Sequence, residues 1–107
     1  MLEIIKSGTF DTWLRSLRDR QARARIEVRI RRLSLGNSGQ SRVLKDGLFE
    51  LKVDHGPGYR VYYAQTGKTV VLLLCGGIKR SQSADISKAC EYWSDWQRRN
   101  DEQEKTR

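Results

Sequence analysis

The residues best suited to chemistry in this chain are cations set close to the ends of apolar, strand-like runs. Arg60 stands in Gly56-Pro57-Gly58-Tyr59-Arg60-Val61-Tyr62-Tyr63, and Lys79 and Arg80 follow the apolar run Val70 to Cys75, within Gly76-Gly77-Ile78-Lys79-Arg80-Ser81-Gln82. Guanidinium and ammonium groups carried on stiff strands hold positive charge where a phosphate must sit, and arginine's planar fork matches paired phosphate oxygens. Lys52 and Glu50 lie on the preceding alternating stretch, and a hairpin centred on Gly56 sets Lys52 opposite Arg60 and Glu50 opposite Tyr62. Two cations then stand side by side, and the Tyr62 ring is positioned to stack on a base. The chemistry these groups suit is recognition of a polyanion, and so of nucleic acid.

The bulk composition agrees. Across 107 residues there are 21 Lys and Arg against 13 Asp and Glu, a net charge of +8, which favours a polyanionic partner over a small neutral ligand. The length allows one domain with one core. Met1 to Lys6 contains no signal-peptide core, and no apolar stretch approaches the ~20 residues that span a bilayer, so a cytoplasmic protein without membrane contact is expected. Cys75 and Cys90 fall on a strand and a helix face, where thiols behave as small apolar groups; neither a disulfide nor a metal site is expected. A single histidine, His55, sits in a turn and is read as a surface residue.

The cations require elements to hold them. Leu2, Ile4 and Ile5 suggest a first strand ending at Ser7-Gly8. Thr9 is placed to cap a helix with Phe10, Trp13, Leu14 and Leu17 on one face, and Asp19 to cap a second with Ala22, Ile26, Ile30 and Leu33, ended by Gly36-Asn37. A weak strand over 40–45, a turn at Asp46-Gly47, and an alternating strand from Leu48 to Asp54 follow. The next hairpin turns at Gly67-Lys68, and the strand from Val70 to Cys75 is apolar on both faces. Such a strand must be covered on both sides; a helix from about Ser83, with Ile86, Ala89, Cys90 and Trp93 inward, supplies the second cover. The order β-α-α-β-β-β-β-α defines an α+β domain over residues 1–97. Residues 98–107 carry no apolar side chain and are expected to fray or be disordered. The arginines of the two early helices, from Arg15 to Arg32, are expected to spread around the helix surfaces without forming one stripe.

Taken together, the Phe-x-x-Trp-Leu helix, the Arg-rich second helix ending in Leu-x-x-Gly-Asn, Gly-Leu-Phe-Glu-Leu, the Gly-Pro-Gly-Tyr-Arg-Val-Tyr-Tyr block, Leu-Leu-x-Gly-Gly-x-Lys and Ser-Gln resemble the RelE/ParE toxin superfamily, in its HigB-like, phage-derived killer-protein branch. The match runs from about Phe10 to Ala89. The resemblance implies a RelE-like fold, two N-terminal helices on a small curled, mainly antiparallel sheet with a C-terminal helix. It also implies a toxin held by a cognate antitoxin of helix-turn-helix, HigA-like type, cleaving mRNA on the translating ribosome. By the same resemblance Arg60 corresponds to the arginine that contacts the scissile phosphate, Lys79 or Arg80 to a second phosphate-stabilising cation, and Lys52 to a basic residue that assists proton transfer. The C-terminal Tyr or His of several active relatives has no counterpart between Ser81 and Ile86.

Cleavage of RNA by its own 2′-hydroxyl needs a base, an acid and positive charge around the phosphate, and calls for no cofactor. Arg60 suits charge stabilisation, a lysine crowded by Arg60 and Lys79 suits proton transfer, and Glu50 is the alternative base. Two other functions remain open from the residues alone: a ParE-like DNA gyrase inhibitor that acts by binding, and a family member that has lost catalysis.

Overall fold

Side-chain alternation along the strands decides which residues reach the site, and the strands form where the pattern requires them. The computed structural model describes the backbone of residues 1–45 and 47–105 and the side chains of residues 1–45 and 47–100. The elements are β1 (Glu3–Lys6), α1 (Gly8–Ser16), α2 (Arg20–Ser34), β2 (Ser41–Lys45), β3 (Leu48–Val53), β4 (Tyr59–Thr66) and β5 (Val70–Ile78), then a 3₁₀ turn (Lys79–Ser81) and α3 (Gln82–Lys105). Asp46 of the predicted Asp46-Gly47 turn lies outside the described residues. No described helix is long and apolar enough to cross a membrane.

Helix ends differ from expectation in detail. Ser7, not Thr9, caps α1: its Oγ accepts from the Phe10 N–H at 3.0 Å and donates to the Leu74 carbonyl at 2.7 Å, so one hydroxyl starts the helix and ties it to β5. Asp19 caps α2 as predicted, accepting from the N–H groups of Gln21 and Ala22. The Ala22 bond and then His55 hold its carboxyl below the ordinary value. Gly36 closes α2 with φ +90°, whereas Asn37 is not left-handed. The segment from Arg98, expected to lose structure, continues α3 to Lys105; its Arg, Gln, Glu and Lys residues are good helix formers.

The five strands lie in the order β1-β5-β4-β3-β2. All neighbours are antiparallel except β1, which runs parallel to β5. The sheet is therefore mixed, and it is not closed. The β3–β4 hairpin has the predicted register, Lys52 opposite Arg60 and Glu50 opposite Tyr62.

One irregularity reassigns faces. Tyr62 pairs with Cys75 and Tyr63 with Leu73, so Leu74 is the extra residue of a bulge in β5. Before it, Val71 and Leu73 join the core with α1 and α2. Leu72, Leu74 and Cys75 instead join Ala89 and Trp93 of α3. After it, Gly76 faces α1 and Gly77 faces α3. A Cβ on Gly76 would meet Trp13 at 2.3 Å and one on Gly77 would meet Asp85 Oδ2 at 1.8 Å, so these two positions must lack a side chain for both layers to approach. β5 thus extends through Ile78, beyond the predicted Cys75. Both faces are covered, as its apolar sequence requires.

Candidate functional site

On the α3 side of the sheet, Leu48, Tyr62 and Ala64 lie under α3, in the cluster that Trp93 anchors. Toward the β3–β4 turn, Lys52 and Arg60 emerge from that cover into a cleft of about 470 Å³. Residues two apart on a strand share a face, which places Glu50 and Lys52 from β3 with Arg60 from β4. Arg42 of β2 lines one side of the cleft and Gln82, the first residue of α3, lines another.

Arg60 is 5% exposed. Its Nη1 donates to the Tyr59 carbonyl at 3.3 Å, and no ion pair among the described residues includes it. The diagonal pairing with Glu50 that would make it merely structural does not form. A desolvated guanidinium is ordinarily matched by a carboxylate; here the cation opens into the cleft with spare donors. Lys52 stands directly across from it, its Nζ 3.6 Å from Asp54 Oδ1, and its backbone carbonyl accepts from Arg29 Nη1 at 3.0 Å.

Glu50 has a different place from that of a free base. Arg42 Nε donates to Oε1 at 2.8 Å and Gln82 Nε2 donates to Oε2 at 2.7 Å. Burial works to raise its pKa, but the bonds from Gln82 and Arg42 prevail and hold it below the ordinary glutamate value. A carboxylate so engaged is a poor proton acceptor and a good anchor. Its contribution to stability is present above the ordinary glutamate pKa and is lost as pH falls through the depressed folded value. The acid limb of a melting-temperature profile is accordingly expected to be shallower in Glu50→Gln than in the wild type. Superimposable acid limbs would contradict the assignment.

Tyr62 is fully buried, so it cannot stack on a base as expected from its place in the sequence. Its hydroxyl lacks a hydrogen bond of ordinary geometry, and burial, followed by the neighbouring Glu50 charge, raises its pKa well above that of an ordinary phenol. Alternation placed it correctly on the site's face; α3 covers that part of the face.

Lys79 and Arg80 do not line the cleft. Both are exposed on the 3₁₀ turn beside it. The Lys79 N–H donates to the Gly58 carbonyl at 2.7 Å. A Cβ on Gly58 would lie 3.4 Å from Lys79 Cβ and 3.5 Å from Arg60 Nη1, so Lys79 and Arg60 bracket this glycine, whereas no such contact ties Arg80 to Arg60. His55 Nε2 is 3.0 Å from Asp19 Oδ2, pinning the hairpin turn to the start of α2; it serves structure. Among the described residues no group of three His, Cys, Asp or Glu side chains is arranged to hold a metal ion.

Arg42 and Gln82 went unread in the sequence. Arg42 pairs directly with Glu50 across β2 and β3, a relation that follows only once the register of the Asp46-Gly47 hairpin is known. Of the helix arginines, Arg25, Arg29 and Arg32 share one face of α2 and line a groove against β3 together with Val28 and Val53.

Two comparisons bear on this arrangement. Residues 12–90, which include every cleft residue named above, match the family model described as "Phage derived protein Gp49-like (DUF891)". The chain is also similar to an uncharacterized protein of Haemophilus influenzae, 46% identical over 88 residues that cover 82% of this chain and 89% of that one.

Proposed function

The chain belongs to the Gp49-like family of phage-derived proteins, a RelE/HigB-type addiction-module toxin family, and from that premise we propose that it is the toxin of a type II toxin–antitoxin pair that cleaves mRNA on the ribosome. The observation that carries this reading is Arg60, a buried guanidinium without a carboxylate partner among the described residues, opening into a cleft beside Lys52. A phosphodiester is the anion such a site suits.

In the reaction, the 2′-hydroxyl oxygen attacks phosphorus, the P–O5′ bond breaks, and the products are a 2′,3′-cyclic phosphate and a 5′-hydroxyl. Arg60 binds non-bridging oxygens, whose negative charge grows in the transition state, and as an always-protonated group it takes no part in proton transfer. The Lys52 ammonium donates a proton to the departing O5′. Glu50, with each oxygen already accepting a hydrogen bond, is set aside as the base, and the 2′-hydroxyl proton passes to water. Lys79, which brackets Gly58 with Arg60, is the better of the two turn residues for a supporting phosphate contact.

The expected partners are the ribosome, its mRNA, and a cognate antitoxin of helix-turn-helix type. Purified protein added to ribosomes programmed with a defined mRNA is expected to cut that mRNA, leaving 5′-hydroxyl ends; intact message at saturating protein would overturn the proposal. Intact message together with DNA-damage signalling in expressing cells would identify a gyrase poison in its place.

A further inference from the structure

We propose that Arg42 forms a second phosphate subsite in the cleft, so that the site grips two neighbouring phosphates of one RNA strand, the scissile one at Arg60 and an adjacent one at Arg42. The inference rests on the RNA-cleaving reading above and adds to it a residue, a ligand contact and a role for Glu50 and Gln82.

Arg42 is an unusually well-held surface arginine. Its side chain is 60% exposed, yet its Nε is fixed at 2.8 Å to a carboxylate whose own side chain is only 5% exposed. That carboxylate is in turn fixed from the other side by Gln82 at 2.7 Å. The bond uses the Nε edge of the guanidinium and leaves both Nη groups without a partner among the described residues. An exposed arginine ordinarily loses several rotatable degrees of freedom on gripping an anion. Here the strand pair and the Gln82–Glu50 bond have already removed most of them, which is the condition for tight, oriented phosphate binding.

Charge supports the same conclusion. Three cations, Arg42, Lys52 and Arg60, line the cleft against one carboxylate, Glu50. Glu50 also lines the cleft, but it is buried and each of its oxygens is engaged, by Arg42 and by Gln82, so its charge is spent on holding Arg42. Arg42 shares a row of the sheet with Glu50 and Tyr62, and Arg60 shares the next row with Lys52. The two rows are about 7 Å apart along the strands, and β2 and β4 lie a further two strands, about 10 Å, apart across the sheet; the bond to Glu50 draws the Arg42 guanidinium back over β3, leaving a separation excessive for two oxygens of one phosphate and suited to neighbouring phosphates of an extended strand. Glu50 and Gln82 are thus positioning residues, and Arg42 is a binding residue.

The test is the salt dependence of binding to a short single-stranded RNA, measured for the wild type, Arg42→Ala, Arg42→Lys and Arg60→Ala. Each lost phosphate contact lowers the slope of log affinity against log salt by about 0.7 for a single strand. Arg42→Ala is expected to lose that amount, Arg42→Lys to keep the slope while binding more weakly, and Arg60→Ala to lose a similar amount independently. An unchanged slope in Arg42→Ala with a reduced one in Arg60→Ala would overturn the second subsite and leave the function standing. Unchanged slopes in both would remove the cleft as an RNA site altogether. Because Arg42 is mostly exposed, both of its variants are expected to fold, Arg42→Ala melting somewhat lower because Glu50 loses one of its two donors; a single cooperative thermal transition in each confirms it.

Discussion

Arg60→Met is expected to make the protein more stable and catalytically silent at the same time. Arg60 is 5% exposed, has no carboxylate partner among the described residues, and stands directly across the sheet from the cation Lys52. Burying a charge without a partner costs free energy, and like charges directly opposite on neighbouring strands repel. Methionine keeps the aliphatic stem, fills the same irregular space and removes both penalties. A gain of about 1 kcal/mol, seen as a rise of roughly 4–8 °C in melting temperature for a domain near this size, is the expected result. Over the same substitution, single-turnover cleavage on programmed ribosomes should fall by about 10²–10³-fold, the loss typical of removing one donor aimed at developing charge. A more stable and inactive variant marks a residue kept for function. A variant that melts lower would show that Arg60 serves the fold, and one that cleaves normally would show that phosphate is held elsewhere.

The largest expected loss of stability is at Gly76. An added Cβ there meets Trp13 ring atoms at 2.3 Å, closer than any real contact. The indole has little room to withdraw: its centroid lies 5.7 Å from Phe10 and 6.4 Å from Tyr59, rings that are themselves buried. Gly76→Ala therefore has to separate α1 from β5 or expel the indole, a cost of about 3 kcal/mol. Chemical denaturation measures it. Trp13→Leu in the same chain should recover part of the loss, giving a coupling of about 1 kcal/mol or more in a double-mutant cycle. Losses that simply add would place the strain somewhere other than the Trp13 contact.

Much of what positions the cleft can be read from local sequence. The Gly-Pro-Gly turn and the alternation on either side of it fix Lys52 against Arg60, because a one-residue slip would turn Phe49, Leu51 and Val53 of β3 away from the core they share with α1 and α2. The apolar faces of β5 called for a cover on each side, and α1 and α3 provide them. What could not be read depends on partners far along the chain. β1 finds β5 across more than sixty residues and pairs in parallel, which its four residues do not announce. The bulge at Leu74 shifts the alternation by one, and only that shift explains why the neighbours Leu74 and Cys75 both pack with α3 and why Gly76, not Gly77, meets α1. Tyr62 carries the right alternation and is nonetheless sealed by α3. The Glu50 anchor requires Gln82, 32 positions later, and its depressed pKa follows from that meeting and from Arg42, not from any local motif.

The most direct test is to map new mRNA 5′ ends after a brief pulse of expression, comparing the wild type with Arg60→Ala in cells lacking an antitoxin. New ends inside translated reading frames in the wild type, absent from the variant, are the expected result and would establish a ribosome-linked nuclease with Arg60 in its site. Growth arrest with no new ends, or the same ends in both proteins, would contradict it.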